Sequence, residues 1–346
     1  MTSAVRTVGL DVSDKFTTYC LLGSDGEVEE EGRIRTTPQA FTERFSTGDF
    51  RFVLEAGTHS PWISRLLGKG EREVIVANPR RVELISKATR KNDRADAETL
   101  ARLGRMDAVL LSPVRHRSAE AQADLAAIRA RAALISSRTL LINHTRGAAK
   151  AMGVRLPACD AHSFHKYVGE ELPPELVMAL TPLLSAIAKL TEEIKAFDRL
   201  VLWLIEERYT EARVLQQVAG VGPLIALTFI LTIGDPHRFK KSRELGPYLG
   251  LIPRQHESGE SSPALRISKA GDHYLRQLLV NGAHYVLGHY GPDSDLRRWG
   301  LQRTLGGKNA KKRAVVAVAR RLAILLHRLW VTGEVYEPLH TSRASA

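Results

Sequence analysis

The sequence predicts a mixed α/β unit followed by an all-α region. Three observations predict it. Three strand-like runs followed by alternating helix and strand patterns precede Met106. The stretch from Arg117 to Met152 holds no proline and a single glycine, Gly147. The remainder reads as helix around one irregular Pro/Gly/Ser-rich stretch.

Thr7-Val8-Gly9-Leu10-Asp11-Val12 reads as a buried strand. Phe16 to Leu22 and Val28 to Arg35 read as two more, with Ser24-Asp25-Gly26 as the turn between them. A helix is expected from Pro38, a strand at Phe52 to Glu55, a helix from Pro61 to Leu67 and a strand at Val74 to Ala77. A further helix begins at Asp93, with Ala95, Leu100 and Leu103 on its apolar side. Beyond Met152 a long helix is expected from Thr181-Pro182, Thr as N-cap and Pro at the first position. Its Leu183, Ile187, Leu190, Ile194, Phe197, Val201 and Leu204 step by four and three, a heptad seam. A helical hairpin and an intermolecular coiled coil both fit. Val218-Ala219-Gly220-Val221-Gly222-Pro223 resembles a helix-hairpin-helix turn, whose backbone N–H groups can hold a DNA phosphate; a plain interhelical turn fits equally. A helix is expected from His273. The expected domains are 1–110 (α/β), 115–210 (helical arm) and 211–340 (C-terminal, helical).

The chain has 346 residues, 44% hydrophobic and 25% charged, the profile of a globular protein. Lys and Arg number 50 and Asp and Glu 38, a net charge of +12 that suggests a polyanionic partner. Two cysteines, Cys20 and Cys159, make no disulfide framework and suit a reducing cytosol. The longest nearly apolar run, Pro223 to Ile233, falls short of the ~20 residues that cross a bilayer, and no apolar signal core follows the first residues. Secreted and membrane-spanning classes are therefore excluded.

The surplus charge is concentrated. Arg297, Arg298, Arg303, Lys308, Lys311, Lys312, Arg313, Arg320, Arg321 and Arg328 fall in a window without Asp or Glu. Val315, Val318, Leu322, Leu325, Leu326 and Leu329 recur there at helical spacing, so the window reads as an amphipathic helix with a basic face suited to phosphates.

Four carboxylates carry the chemistry. Asp11 and Glu55 end strands, and Asp93 and Asp96 share one face of a helix start. Strand ends and helix starts converge at one edge of an α/β sheet. Hard carboxylate oxygens suit Mg²⁺, the expected cofactor, which can clamp the oxygens of phosphoryl transfer. Taken alone, Asp93 and Asp96 are also explained by the helix dipole. Far downstream, Ser258-Gly259 lies between Arg254 and Arg266, Lys269 and Arg276. Such a serine could be a nucleophile among phosphate-binding cations, although Ser-Gly is usually a turn and Ser261 and Ser262 are close by.

The ordered set resembles the insertion-sequence one-hundred-ten family of transposases, the DEDD-type serine recombinases guided by a bridge RNA. The resemblance rests on Gly9-Leu10-Asp11-Val12-Ser13, Leu54-Glu55-Ala56-Gly57 and Lys91-Asn92-Asp93-Arg94-Ala95-Asp96-Ala97. It continues through Gly220-Val221-Gly222-Pro223, Tyr248-Leu249-Gly250-Leu251-Ile252-Pro253, Ser258-Gly259 and Arg266-Ile267-Ser268-Lys269-Ala270-Gly271. It implies a RuvC-like domain of ribonuclease H fold whose metal-binding tetrad is Asp11, Glu55, Asp93 and Asp96. It implies that Ser258 attacks a DNA phosphate and becomes joined to it. The implied partners are donor and target DNA, a structured noncoding guide RNA and further copies of the chain, as dimer or tetramer, in a prokaryotic cytoplasm at the nucleoid, with no membrane. Gly220, Gly222, Arg254, Arg266, Lys269, Arg276, Lys308, Lys311, Lys312 and Arg313 are the expected nucleic-acid contacts. One departure is Glu260-Ser261-Ser262-Pro263-Ala264-Leu265, less basic than the resemblance implies, which keeps Ser261 as a rival nucleophile. Two other functions fit the residues: a metal-dependent nuclease or resolvase in which water attacks, and a noncatalytic nucleic-acid-bridging protein.

Overall fold

The computed structural model describes residues 6–79, 92–254, 265–306 and 309–340. They fall into two compact units, Met1–Glu120 and Ala121–Ala346.

The first unit contains β1 (Arg6–Val12), β2 (Phe16–Leu22), β3 (Val28–Arg35), α1 (Pro38–Phe45), β4 (Phe50–Glu55), α2 (Ser60–Leu67), β5 (Val74–Ala77) and α3 (Asp93–Met106). The strands form one sheet in the order β3-β2-β1-β4-β5. β2 is antiparallel to β1 and β3, whereas β1, β4 and β5 run parallel. Alternation along the strands divides the apolar residues between two layers. Val8, Leu10, Phe52 and Leu54 bury against Phe41, Phe45, Ile63 and Leu67 of α1 and α2. Val53 and Ile75 point the other way and bury with Leu100 of α3. The outer strand β3 carries Glu29, Glu30, Glu31, Arg33 and Arg35, charges that discourage a further strand from adding to that edge.

α3 lies unusually close to β1. A Cβ on Gly9 would stand 2.0 Å from the Ala97 carbonyl oxygen and 2.6 Å from the Ala101 amide nitrogen. Ala97 and Ala101 are themselves fully buried and small, so helix backbone rests on strand backbone.

The second unit is helical. It contains α4 (Ala119–Ala151), α5 (Phe164–Tyr167), α6 (Val177–Glu207), α7 (Ala212–Leu215), α8 (Pro223–Ile233), α9 (Leu245–Tyr248), α10 (His273–Leu287), α11 (Asp295–Gln302) and α12 (Ala310–Thr332). α8 is buried from Ala226 to Ile233 and shares one core with α10 and α12. α4 and α6 run antiparallel. Asp124 accepts from Arg208 and Tyr209, Asp198 accepts from Arg131, and Arg138 donates to Thr191, three rungs in reverse order. One end of the pair belongs to the α8 core through Leu125, Ile128, Val201 and Leu204. The other end has a core of its own, built by Ile142, Phe164, Leu180, Leu184 and Ile187. By length and composition α6 lies in a stretch that could cross a membrane, with a mean hydropathy of 1.2. Here it is one leg of this hairpin.

Three sequence expectations need correction. α6 begins at Val177 rather than at Thr181-Pro182. A 3-10 turn at Pro174–Leu176 leads directly into it, Thr181 donates back to the Val177 carbonyl, and burial of Leu180 secures the extra turn. The buried row of α6 is Leu184, Ile187, Thr191, Ile194, Val201 and Leu204, while Leu183, Leu190 and Phe197 of the expected seam are only half-buried. The basic window is two helices, α11 and α12, interrupted by a segment containing Gly306 at φ +102°.

Gly9→Ala is expected to destabilise the first unit by about 2 kcal/mol or more, because two backbones must part to admit one methyl group. Urea unfolding followed by circular dichroism measures it; an unchanged midpoint would refute the close approach.

Candidate active site

Leu10 pairs with Leu54, so Asp11 and Glu55 come next on neighbouring parallel strands. By alternation Asp11 shares the face of Gly9, and Glu55 that of Val53, the face covered by α3. The direction of α3 follows from its two ends. Ala97 lies over Gly9, and Arg105 donates to the carbonyls of Gly23 and Ser24, just beyond β2. Leu22 pairs with Thr7, which places those carbonyls at the amino end of β1. α3 therefore runs against β1, and its first turn reaches the carboxyl end of β1, where Asp11 stands. Asn92 caps that turn by accepting from the Arg94 amide at 3.1 Å.

All four predicted acids thus come to one end of one sheet face. Asp96 is 7% exposed, Asp11 and Glu55 are half-buried, and Asp93 is exposed. Neither Asp11 nor Glu55 is an isolated charge. Among the described residues no three acidic, His or Cys side chains converge closely enough to hold an ion. The donor set is wholly carboxylate, the hard-oxygen chemistry that Mg²⁺ takes.

The turn after Glu55 is fixed. Ser60, 1% exposed, accepts from the Gly57 amide at 3.0 Å and donates to the Gly57 carbonyl at 2.8 Å. His116 Nε2 lies 2.8 Å from the same hydroxyl. Burial, with Arg65 and Arg117 nearby, pushes the His116 pKa down from 6.5. His59 spends both ring nitrogens. Nδ1 accepts from the Trp62 indole N–H, and Nε2 faces Asp14 at 3.2 Å.

A second candidate site, in the other unit, is the stem of a loop. Pro253 bridges Ile267, the Arg254 amide donates to the Arg266 carbonyl, and the Ser268 amide donates to the Ile252 carbonyl. Ser258 falls between these legs but lies outside the described residues, as do Ser261, Ser262 and Lys308. Arg254 and Arg266 are exposed, opposite one another on the last rung of the stem. Below them, Gly250 adopts φ +65°, and a Cβ there would meet the Ala270 amide nitrogen at 2.2 Å. Lys269 is held at φ +54° beside this contact. Arg276 differs from expectation. It is 7% exposed and donates to the carbonyls of Leu249 and Ala270, stapling the two legs instead of facing a phosphate.

The remaining basic residues also divide by partner. Lys311, Lys312 and Arg313 are exposed on the first turn of α12. Arg297 donates to the carbonyls of Val286 and Gly288, Arg298 pairs with Asp293, and Arg328 pairs with Glu334. Arg303 and Arg321 stack on Trp299, with guanidinium carbons 4.2 and 3.7 Å from the ring centre. Sequence reasoning passed over Trp299; its spacing of four from Arg303 was the available signal. Of the two glycines in the expected DNA-binding turn, Gly220 (φ +85°) packs against Gly282 of α10, where a Cβ would stand 2.8 Å from the Gly282 carbonyl oxygen. Gly222 is exposed at the start of α8.

The acidic sheet edge and the separate helical unit fit the DEDD class of insertion-sequence transposases, and the comparisons point to the same class. Residues 8–152 match the DEDD-type transposase family model, and residues 212–297 match that of the transposase IS116/IS110/IS902 family. The transposase for insertion sequence element IS1111A of Coxiella burnetii is 30% identical over 351 residues, covering 96% of this chain and 91% of the relative. A probable family 20 transposase of Pseudomonas aeruginosa is 30% identical over 256 residues, 72% of this chain and 74% of that one. The transposase for element IS1328 of Yersinia enterocolitica is 31% identical over 236 residues, 67% and 69% of the two chains. The chain belongs to the IS110 family of transposases, and its substrate is DNA. Membership implies the RuvC-like fold for the first unit, in agreement with its five-stranded mixed sheet.

The depressed His116 pKa has a defined sign. The unfolded chain takes up the proton more readily, so stability is fully present above about pH 6.5 and is lost as pH falls through the folded value. Thermal melts from about pH 7.5 to 5.5 should show this loss, with a shallower slope in His116→Gln; parallel slopes would exclude His116 as the source.

Proposed function

We propose that this transposase cuts and rejoins DNA through a covalent phosphoserine link at Ser258, with Mg²⁺ at the acidic edge and a structured noncoding RNA as guide. The carrying observation is the delivery of Asp11, Glu55, Asp93 and Asp96 to one end of one sheet face from three separate elements. The helix dipole accounts for Asp93 and Asp96 but not for Asp11 and Glu55 beside them, and like charges raise one another's cost. A divalent ion held by those carboxylates would neutralise charge on a DNA phosphate.

The serine loop supplies the rest. As the bond from Ser258 Oγ to phosphorus forms, one ester bond of the DNA breaks, and the released hydroxyl end takes up a proton. Arg254 and Arg266, exposed on the two legs, would hold the phosphate oxygens. Arg276 keeps the legs in register, a positioning duty. The exposed basic turn at Lys311, Lys312 and Arg313, with Lys308 beside it in sequence, attracts nucleic acid without reading sequence. A guide RNA would supply the readout by base pairing. Gly222 at the open start of α8 suits a further phosphate. The half-buried Leu183, Leu190 and Phe197 leave α6 with an apolar row that a second copy could cover as a coiled coil, in a dimer or tetramer. The work on DNA would take place in the cytoplasm at the nucleoid. The rival reading, hydrolysis by metal-activated water, uses the same acidic edge and is favoured by its all-carboxylate donor set.

Ser258→Ala, incubated with guide RNA, donor and target DNA, should bind normally yet form no protein–DNA adduct on denaturing gels. An adduct that persists overturns the serine assignment; wild type that cleaves without any adduct supports the rival. Asp11→Asn should lower strand cleavage by roughly 10³-fold.

Mg²⁺ should raise the melting temperature at matched ionic strength by relieving repulsion among the four carboxylates. Asp11→Asn should blunt that rise. Identical melts with and without Mg²⁺ in the wild type would argue against metal at this edge.

A further inference from the structure

A cavity of about 1030 Å³ opens in the second unit between the stem of the serine loop and helices α11 and α12. Among the described residues its lining has no carboxylate. Arg266 and Lys269 face it from the stem, and Arg303, Lys312, Arg313, Arg320 and Arg321 face it from the helical side. Between these cations the wall is apolar, with Leu251, Ile267, Trp299 and Val316. Arg303 and Arg321 stand against the same indole, Trp299, and repel one another. Burial, and then Arg303, pushes the Arg321 pKa down. Two guanidinium groups held against one indole, with no carboxylate among the described lining residues, favour an anion between them.

We propose that this groove holds an unpaired stretch of the DNA strand that Ser258 attacks, next to the scissile phosphate. The inference rests on the serine reading above, because the groove shares a wall with the stem of the loop that carries Ser258 in sequence. Charge selects the occupant: among the described residues the lining has seven cations and no acid, which fits a chain of phosphates. Shape and polarity select its state. A cavity of this volume encloses a few nucleotides, not a duplex, and its apolar wall suits base faces, which a duplex hides in its stack. Arg303 and Arg321 would take phosphate oxygens from one edge and offer stacking planes from the other. A strand held here would be unpaired beside the break, as an exchange of partners requires.

Full-length protein should bind a fluorescent single-stranded oligodeoxynucleotide of about twelve nucleotides more tightly than the matching duplex in anisotropy titrations. Arg303→Ala combined with Arg321→Ala should weaken single-strand binding at least about tenfold. Arg328→Ala, whose charge is paired with Glu334 away from the groove, should change it less than about twofold. Melting curves establish that each variant is folded; should the double variant prove unfolded, Arg303→Gln and Arg321→Gln singly replace it. A bromodeoxyuridine-substituted strand should photocrosslink to the peptide containing Trp299. Equal binding by wild type and groove variants, or crosslinks confined to other peptides, overturns the proposal. So does a dependence on Arg303 and Arg321 seen only with an RNA oligonucleotide of the same sequence. The binding series is repeated in Ser258→Ala protein, so that no covalent link through Ser258 contributes to the titration. Failure of the serine reading therefore shows only in the adduct gel, and failure of the groove only in the titrations.

Discussion

The acidic edge depends on the contact between the backbone of α3 and Gly9. The contact has two functions. It sets the height of the helix, because the small side chains of Ala97 and Ala101, and Gly104 against Val53, let α3 sink onto the sheet. It also sets the position of the helix along β1, which brings the turn holding Asp93 and Asp96 level with Asp11. Carboxylates brought together repel, and burying Asp96 adds a desolvation cost. The opposing stabilisation comes from elsewhere on the same helix, where Leu100 buries with Val53, Ile75 and Leu111. The chemistry proposed at one end of α3 would thus draw on packing along its length.

The serine loop solves a related problem by a different route. Its stem is short, a few main-chain hydrogen bonds and one bridge. Such a pair is marginal unless something else holds it. Gly250 lets the chain pass within contact of Ala270, and Arg276 donates to a carbonyl on each leg. Lys269, a non-glycine residue held at positive φ, carries a strain of about 1 kcal/mol or more. That conformation persists because its neighbours over-determine it. A buried arginine is a demanding staple, since its charge must be satisfied by carbonyl dipoles; removing it would leave those carbonyls unpaired as well.

Much of the fold was legible because local pattern and tertiary role coincide. β2, β3 and β5 occupy the expected residues, since alternation and turn residues bound them on both sides. The start of α3 was legible from Asn92 and the acids after it. The shared location of the four acids was legible through strand ends and a helix start, but not their depth, which Gly9 decides and a periodicity reading cannot see. The start of α6 was misread because Thr-Pro is a strong N-cap signal locally, and burial of Leu180 outweighed it. The basic window was overcounted for a plainer reason. A sequence lists charges without partners, and those of Arg297, Arg298 and Arg328 lie outside the window at Val286, Gly288, Asp293 and Glu334.

That sorting of partners separates two electrostatic duties. Lysines on an exposed helix turn are strongly hydrated and mobile, so their attraction is long in range, weak per contact and easily screened by salt. They suit bringing a polyanion to the protein. Guanidinium groups fixed against an indole have already lost much of their rotational freedom and part of their water. The cost of ordering them falls on folding rather than on binding. They suit holding one phosphate in one place. Under the proposed delegation of sequence choice to base pairing, base-reading side chains are not needed, yet a cut strand must still be kept from drifting. The stack of Arg303 and Arg321 on Trp299, beside the stem of the loop, would serve that second task, which exposed lysines alone would leave undone.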